Sequence, residues 1–542
     1  MRALPAAIAA ALLLTACGGT AAQPASPSAA VATAAASSQK TMTVALWSAP
    51  DTFNPITAQT GYDDSVIALM FDTLVWESPD QNFHPLLASS WETSPDGKTF
   101  TFHINPKANW TDGKPVTSAD VVYTLDQDSN PDIPAQYGSL VSLLVGSTSQ
   151  GKNLDPSQPL AGIKVIDAKT FQLLTKGPTD INTMLSDIGV NIYIAPEHAV
   201  TGVAPADFAK TPFYQHPTIT DGPYEFVKYE NSQYVQLKPN PNYYQGAPKL
   251  DQLFVRVVPP TSMLAELRGD QIDATMVPGE SDVPLQDWPA VATLPNVKQD
   301  SVPGFTTQYV LVNTARPYLK DPAVREALTL AINRQEIVDQ LLKGQGQIAV
   351  GPVDPLFKYA DKSLKPYPFD PTKAKAMLQA AHFPFSQPLQ LLVPTGNQIR
   401  QESAPLIQQN LEAIGLTVNL QQFDFATMLA NATKGNYDLA LVGSTFGADP
   451  SLTAAWLSCK GSLNRTKYCN PQVDQLYQQG LQTSDFTQRK AIYDQLQQIV
   501  YHDAPMIFLY NANGLMAYNT RVDSAAIPNA YGMQQGWLWG VQ

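Results

Sequence analysis

The stretch Phe83–Tyr123 is the most informative part of this chain, and it reads FHPLLASSWETSPDGKTFTFHINPKANWTDGKPVTSADVVY. Its segment Ser94–Gly97 contains the Pro, Asp and Gly residues that favour a tight turn. The next segment, Lys98–Ile104, alternates apolar and polar residues, which predicts a strand with one buried face. Ser118 is a suitable N-cap for a helix with apolar residues at helical spacing. The residues themselves therefore predict a small α+β unit.

The size and charge of the chain indicate a folded protein of several domains. Its 542 residues are too many for one hydrophobic core and suit two or three domains. Hydrophobic residues make up 44% and charged residues 15%, as in globular proteins. The formal net charge is −13, whereas nucleic-acid-binding proteins usually carry a basic surface. We therefore expect no nucleic-acid partner.

The N-terminal region has the pattern of a secreted lipoprotein. A short basic start precedes the apolar run Ala6–Leu14, which is too short for an ordinary transmembrane helix. The segment Leu14–Gly18 is similar to a bacterial lipobox, which predicts a signal peptide over 1–16 and acylation, such as palmitate, on Cys17. A plain secretory signal with an incidental cysteine is the alternative. Residues 17–40 would form a disordered tether to the outer side of the cell membrane, the only expected membrane contact.

Two further cysteines predict a disulfide bond. Once Cys17 is lipidated, Cys459 and Cys469 remain as an even, closely spaced pair in an oxidising compartment. A cysteine-based metal site is the competing interpretation, but no CxxC pattern or nearby His supports it. We therefore predict the bond Cys459–Cys469 and no metal site.

No motif of catalysis stands out along the chain. There is no GxSxG nucleophile elbow, and the six His residues form no HExxH pattern. Gly344–Ala349 has the glycine spacing of a dinucleotide fingerprint, but it follows a predicted helix instead of a strand. We therefore expect neither enzymatic activity nor a cofactor.

The C-terminal half has the alternation of helices and strands that is typical of an α/β lobe. Asp321–Leu342 has apolar residues at helical spacing, with Pro322 in the first turn. Arg400–Ile414 predicts a second helix, which ends at Gly415. Short apolar segments between such helices predict the strands of one sheet.

Several segments together resemble one protein family. GPYEFVKY at 222–229, DPAVREALTLAINRQEIV at 321–338 and YDLALVGSTFGADP at 437–450 follow the opening stretch in family order. On these segments the chain is similar to the bacterial extracellular solute-binding proteins of family 5, the peptide/nickel class of ABC-importer subunits.

The resemblance implies an α/β fold of the type II periplasmic-binding-protein kind, with two lobes, a hinge and an inserted α+β domain. Chain crossings near 303 and 500 would form the hinge. The expected domains are lobe I at 41–71, 216–303 and 501–542, an inserted domain at 72–215, and lobe II at 304–500.

The resemblance also implies a function. The chain would be the substrate-binding component of an ABC importer, a monomer that captures di- to oligopeptides and delivers them to the permease subunits. A non-peptide ligand on the same fold, such as a nickel chelate, haem, a sugar or an opine-like molecule, is one alternative. A ligand sensor or a chaperone is another.

Two charged residues match peptide-binding positions of the family. By this resemblance Asp449 would pair with the α-amino group of a peptide, and Arg400 would bind its α-carboxylate, which a guanidinium can hold with two parallel hydrogen bonds. A turn-forming or capping Asp and a solvated surface Arg are the alternatives.

Four aromatic residues are the remaining candidates for the ligand site. Tyr137 matches a family Tyr that lines the cleft, and Phe446 and Trp456 flank Asp449 in the sequence. Trp47 follows the first predicted strand. Packing in the hydrophobic core is the alternative for each of them.

Overall fold

The structure is a computed structural model that describes residues 39–542 except 79, 396, 448 and 524–532. Residues Lys40–Gln542 form one compact unit. The predicted signal peptide, Cys17 and nearly all of the predicted tether lie outside the described residues. No helix among the described residues is long and apolar enough to cross a membrane.

The described strands follow one another along the chain from residue 41 to residue 519. They are β1 (Thr41–Leu46), β2 (Val75–Glu77), β3 (Phe83–Pro85), β4 (Ala88–Thr93), β5 (Thr99–Ile104), β6 (Ile163–Asp167), β7 (Thr170–Leu174), β8 (Tyr224–Glu230), β9 (Tyr234–Pro239), β10 (Gln252–Val257), β11 (Ala274–Thr275), β12 (Val297–Val302), β13 (Thr306–Val312), β14 (Gly346–Ile348), β15 (Leu389–Pro394), β16 (Val418–Phe423), β17 (Leu439–Thr445), β18 (Met506–Ala512) and β19 (Gly514–Asn519).

The described α-helices range from a single turn to 18 residues. They are α1 (Gly61–Ile67), α2 (Ser118–Ser129), α3 (Ile181–Met184), α4 (Glu197–Val200), α5 (Pro205–Phe208), α6 (Pro212–Gln215), α7 (Met263–Arg268), α8 (Trp288–Val291), α9 (Pro322–Ala331), α10 (Arg334–Glu336), α11 (Pro371–Ala380), α12 (Gln398–Ala413), α13 (Phe425–Lys434), α14 (Ala454–Leu457), α15 (Pro471–Leu481) and α16 (Phe486–Asp503).

Two large mixed sheets carry most of the strands. The first sheet has the order β12-β19-β11-β1-β10-β9-β8, and the second sheet has the order β14-β18-β13-β17-β15-β16. In the first sheet β1 runs parallel to β10 and β11, and in the second sheet β15 runs parallel to β16 and β17. The second sheet with its helices has the α/β character that the helix–strand alternation predicted.

The opening stretch belongs to neither large sheet. It forms β3, β4, β5 and α2, and β5 lies in a four-stranded sheet of order β4-β5-β7-β6. Phe100, Phe102 and Ile104 are buried on one face of β5, as the alternation predicts. The N-cap of α2 is Thr117 and not Ser118, because the Asp120 carboxylate accepts a hydrogen bond from the Thr117 N–H and completes a capping box.

One predicted helix and one further apolar run are interrupted in the structure. The periodic segment 321–342 divides after α9, because Ile332 has an extended backbone and the Asn333 side chain caps the next turn by accepting from the Glu336 N–H. The apolar run 66–76 is helical only to Ile67 and then passes through turns into β2. A fully buried apolar run has no polar face, so its periodicity cannot separate helix from turn or strand.

One strand lies in a different sheet from the one expected. The prediction of lobe I over 501–542 includes β18, but β18 pairs antiparallel with β13 in the second sheet, with Val310 opposite Ile507. Its residues are buried nearly throughout, as suits a strand between two neighbours. The chain therefore returns to the first sheet at Asn513, between β18 and β19. The division into domains otherwise stays a prediction.

The predicted disulfide bond is confirmed. Cys459 and Cys469 are bonded, and their Cα atoms lie 4.2 Å apart. The bond closes an excursion between α14 and α15.

Candidate ligand-binding site

A buried ion pair lies beside a cavity, close to the end of β17. Asp449 belongs to the loop after β17, and Arg489 lies in the first turns of α16, which begins after its N-cap Asp485. The exposed fraction is 3% for Asp449 and 0% for Arg489. The two side chains come from separate segments, and tertiary folding brings them together.

The Asp449 carboxylate accepts hydrogen bonds at both oxygens. Arg489 donates from Nη1 to Oδ2 at 2.8 Å and from Nη2 to Oδ1 at 3.0 Å, a pairing in two parallel hydrogen bonds. The Ser451 N–H donates to Oδ1 at 2.9 Å, and the Thr183 hydroxyl donates to Oδ2 at 2.9 Å. Burial opposes ionisation of Asp449, but the attraction and hydrogen bonds of Arg489 outweigh it and hold its pKa below the usual value.

The Arg489 guanidinium is held on every side. Its Nε donates to the Gly480 carbonyl at 2.9 Å, Nη1 to the Tyr359 hydroxyl at 3.0 Å, and Nη2 to the Thr183 hydroxyl at 2.9 Å. The ring centroids of Tyr359 and Tyr493 each lie 5.0 Å from the guanidinium carbon, at cation–π distance. Burial alone would lower the pKa of Arg489, but Asp449 raises it above its usual value, so the side chain stays charged.

A segment from outside the second sheet reaches this ion pair. Thr183 lies in α3, whose N-cap Asp180 accepts a hydrogen bond from the Asn182 N–H at 2.5 Å. Residues 72–215, which we call the inserted segment, thus contact the second sheet through Thr183. Burial raises the pKa values of Asp180 and Asp187, although the charge of Arg489 opposes both shifts.

A cavity of about 310 Å³ lies next to the ion pair. Its wall has aromatic side chains, amide and hydroxyl side chains, two carboxyl groups and one amino group. The lining residues are Glu77, Gln81, Phe83, Asn182, Ser186, Lys358, Tyr359, Asp449 and Phe486. This combination of apolar surface with a few polar groups, at this volume, is typical of a small-ligand site.

Hydrogen bonds join the two walls of this cavity at one end. Lys358 donates from Nζ to the Gln81 carbonyl and to Asn82 Oδ1, both at 2.6 Å, and its N–H donates to Gln81 Oε1 at 2.8 Å. Gln81 donates in turn from Nε2 to the Leu356 carbonyl at 2.8 Å. The inserted segment therefore encloses the cavity together with the loop after β14, the loop after β17 and the start of α16.

Glu77 lies between this cavity and a second one of about 300 Å³ that Asp64 and Glu280 also line. Burial raises the pKa of Glu77 to about 7, although Lys358 attracts its charged form. Burial also raises the pKa of Glu280 to about 7 and raises that of Asp64. Glu77 and Glu280 therefore change charge near neutral pH.

Known protein families and solved structures agree with the family that the sequence resembles. The model of the bacterial extracellular solute-binding proteins, family 5, matches residues 82–464. This chain belongs to that family.

Similar proteins span nearly the whole length of this solute-binding protein. It is 26% identical to di/tripeptide-binding protein 2 of Pseudomonas aeruginosa, over 86% of this chain and 89% of the relative. It is 25% identical to the oligopeptide-binding protein AppA of Bacillus subtilis, over 97% and 96%. The solved structure of that AppA in complex with a nonapeptide has a TM-score of 0.74 at 23% identity, over 93% of this chain and 99% of the other. The type II solute-binding-protein fold that the sequence predicts is thus confirmed.

The six residues predicted to contact a ligand do not line one common cavity in this solute-binding protein. Asp449 lines the 310 Å³ cavity, and its carboxylate accepts hydrogen bonds from Arg489 and Thr183. Trp47 lines another cavity, of about 620 Å³, together with Asn397–Ile399 at the start of the helix that contains Arg400. The structure therefore brings Trp47 close to the Arg400 segment and separates both from the cavity of Asp449.

Arg400 has protein partners of its own. Its Nε donates to Gln308 Oε1 at 2.7 Å, and its guanidinium carbon lies 5.9 Å from the ring centroid of Phe425. Burial lowers its pKa. Tyr137 likewise donates from its hydroxyl to Asp64 Oδ2 at 2.9 Å, behind the cavity that Asp64 lines. A ligand contact stays a prediction for both residues.

Phe446 and Trp456 pack against each other in the second sheet's core. Their ring centroids lie 5.2 Å apart, and Phe446 stacks on Tyr309 at 5.6 Å. Phe446 is buried in a hydrophobic cluster with Tyr309, and Trp456 packs on that cluster. Core residues make contacts of this kind, which is the alternative that the sequence left open, and a ligand contact stays a prediction for both residues.

Arg489 was not among the residues predicted to form the site, although the sequence contains a signal for it. On α16 the buried residues Arg489, Tyr493, Leu496 and Val500 recur at helical spacing. A lone Arg on an apolar helix face predicts a buried carboxylate partner, because an unpaired buried charge costs too much free energy. Glu77, Thr183 and Lys358 carried no comparable signal.

Proposed function

We propose that this solute-binding protein is the substrate-binding component of an ABC importer, and that its solute is a peptide. The 310 Å³ cavity beside the Asp449–Arg489 pair carries this proposal. Its amide groups on Gln81 and Asn182 can donate to and accept from peptide bonds, and its aromatic rings suit apolar side chains. The names of the similar proteins, which bind di-, tri- or oligopeptides, favour the same ligand class.

The cell-surface setting is part of the same proposal. Acylation of Cys17 would hold a monomer at the outer face of the membrane, within reach of permease subunits, without catalysis by this chain. In the native host, Cys17→Ser should release the protein from the membrane fraction and abolish incorporation of a labelled fatty acid. Unchanged fractionation and labelling would contradict the anchor.

Peptide capture is tested first on the protein as purified. We expect mass spectrometry of the denatured protein to detect co-purified peptides, and calorimetry to detect binding from a panel of di- to hexapeptides. Co-purified haem, nickel or a sugar in place of peptides would favour the alternative ligands, and shortened peptides after incubation would indicate an enzyme.

A matched pair of variants tests whether the 310 Å³ cavity is the binding site. Ser186 lines it and is half-buried. Ser186→Trp should fill the cavity and abolish peptide binding, whereas Ser186→Ala should bind as the wild type does. Equal binding by both variants would place the peptide elsewhere.

A further inference from the structure

We propose that Arg489 is a specificity-determining residue that takes the place of a ligand cation at Asp449, so that the site accepts N-acylated peptides as readily as peptides with a free α-amino group. The inference rests on the proposed function and names its substrate class. It replaces the expectation that Asp449 pairs with a ligand's ammonium group.

The Asp449 carboxylate has no acceptor position left for a ligand. A carboxylate offers about four lone-pair positions. Two take N–H groups of Arg489, one takes the Ser451 N–H, and one takes the Thr183 hydroxyl. An ammonium group could bind there only by displacing one of these donors.

Arg489 cannot easily give way to such a group. Its five N–H groups all donate to protein acceptors: two to Asp449 and one each to Gly480, Tyr359 and Thr183. The Tyr493 ring that packs on the guanidinium also presses on Gly480, where a Cβ atom would lie 2.5 Å from it. Displacement would leave a buried, unpaired guanidinium, which is strongly unfavourable.

The rest of the cavity wall also favours a ligand with no cation at this end. Near the ion pair the wall offers Asn182 and Ser186, which are neutral hydrogen-bonding groups, and the rings of Tyr359 and Phe486. Glu77 and Lys358 line the same cavity, and Lys358 attracts the charged form of Glu77. An N-acyl group, which is apolar with one carbonyl acceptor, matches the neutral part of this wall.

Competition between two forms of one peptide library tests the inference. The probe is an equimolar mixture of random tri- to hexapeptides and the same library N-acetylated with a heavy-isotope acetyl group. The wild-type protein is incubated with the mixture after its own ligand has been removed by partial unfolding and refolding, and bound peptides are quantified by mass spectrometry after gel filtration. We expect the two forms within threefold of each other in the bound fraction. Enrichment of the free-amine form by tenfold or more would overturn the inference.

A variant of Arg489 tests the assignment to this residue. In Arg489→Gln the Asp449 carboxylate loses its cation. We therefore expect the bound fraction to contain at least tenfold more of the free-amine peptides than of the N-acetylated peptides. Lys490→Gln, on the next residue of the same helix, is the control and should behave as the wild type does. A folded Arg489→Gln protein that still binds both forms equally would overturn the assignment, and if the variant does not fold, the wild-type ratio decides.

The binding experiment gives different results if the inference is wrong and if the proposed function is wrong. If neither form of the library binds, peptide capture itself is wrong and the inference falls with it. If the free form binds and the acetylated form does not, peptide capture holds and the inference alone is wrong.

Discussion

Arg489 shows how one buried charge organises a part of this protein. From its place on α16, its guanidinium contacts the loop after β17 through Asp449, the helix α15 through Gly480 and the inserted segment through Thr183. A buried ion pair contributes little net free energy over an apolar replacement, but the loss of one partner leaves the other charge uncompensated. The stability of this region therefore depends on both members being present.

The Arg489→Met variant should lower the free energy of unfolding by about 3–5 kcal/mol, since it leaves the Asp449 carboxylate buried without its cation. Denaturant unfolding followed by circular dichroism measures the change. Lys490→Met is the matched control, because Lys490 pairs with Asp494 on a partly exposed helix face. That control should change stability by less than about 1 kcal/mol. An equal effect of the two variants would contradict the role of the buried pair.

Glu77 makes stability depend on pH. Its folded pKa of about 7 lies above its ordinary value of 4.5, so between these pH values the folded protein holds a proton that the unfolded chain has lost. The free energy of unfolding therefore falls as pH rises through this window.

We expect Glu77→Gln to reduce the loss of stability between pH 4.5 and pH 8, by at most about 3 kcal/mol. Denaturant unfolding at a series of pH values measures it. Glu92→Gln, on an exposed position of β4, is the control and should give a curve parallel to that of the wild type. Parallel curves for both variants would show that Glu77 ionises normally.

At the scale of elements, short-range caps and turns explain where most helices begin. Asp321, Asp370, Asn397 and Asp485 each accept a backbone N–H as N-caps of α9, α11, α12 and α16. Gly415, with a φ of +98°, follows the end of α12, where a residue with a Cβ atom would be strained. These signals are local, so they are visible in the sequence.

The disulfide bond closes the loop between α14 and α15. A chain-entropy account predicts that a bond over the 10-residue separation of Cys459 and Cys469 stabilises the fold by about 3 kcal/mol. The double variant Cys459→Ser/Cys469→Ser should lose about this amount in denaturant unfolding. Reductant should shift the wild type to the variant's curve and leave the variant unchanged. A non-reducing peptide map without the Cys459–Cys469 cross-link would contradict the bond.

At the scale of the whole molecule, the two chain crossings between the large sheets lie against each other. A Cβ atom at Gly304 would lie 2.1 Å from the Ala512 carbonyl oxygen. Next to them, Asn513 donates from Nδ2 to Ser301 Oγ at 2.9 Å and from its N–H to the Gln345 carbonyl at 3.1 Å. We propose that these crossings are the hinge, at 303–305 and 512–514.

The Gly304→Ala variant should lower the free energy of unfolding by about 1–3 kcal/mol, because the new methyl group forces the two crossings apart. Thermal unfolding measures the loss. Gly351→Ala is the control, since a Cβ atom there meets nothing within 4 Å and its φ is not left-handed. Equal melting temperatures for the two variants would show that the crossings can separate without cost.

The family and its fold class could be predicted from segments that resemble the family in the same order, and the disulfide bond from a closely spaced pair of cysteines. Most helices and strands could be predicted because caps, turns and periodic burial are encoded within a few neighbouring residues. Tertiary structure alone decided that β18 joins the second sheet, that Asp449 pairs with Arg489, and that Glu77 and Lys358 share a cavity. These pairings join residues that are distant in the chain, and their free energy depends on burial and on distances of a few ångströms, which no local pattern specifies.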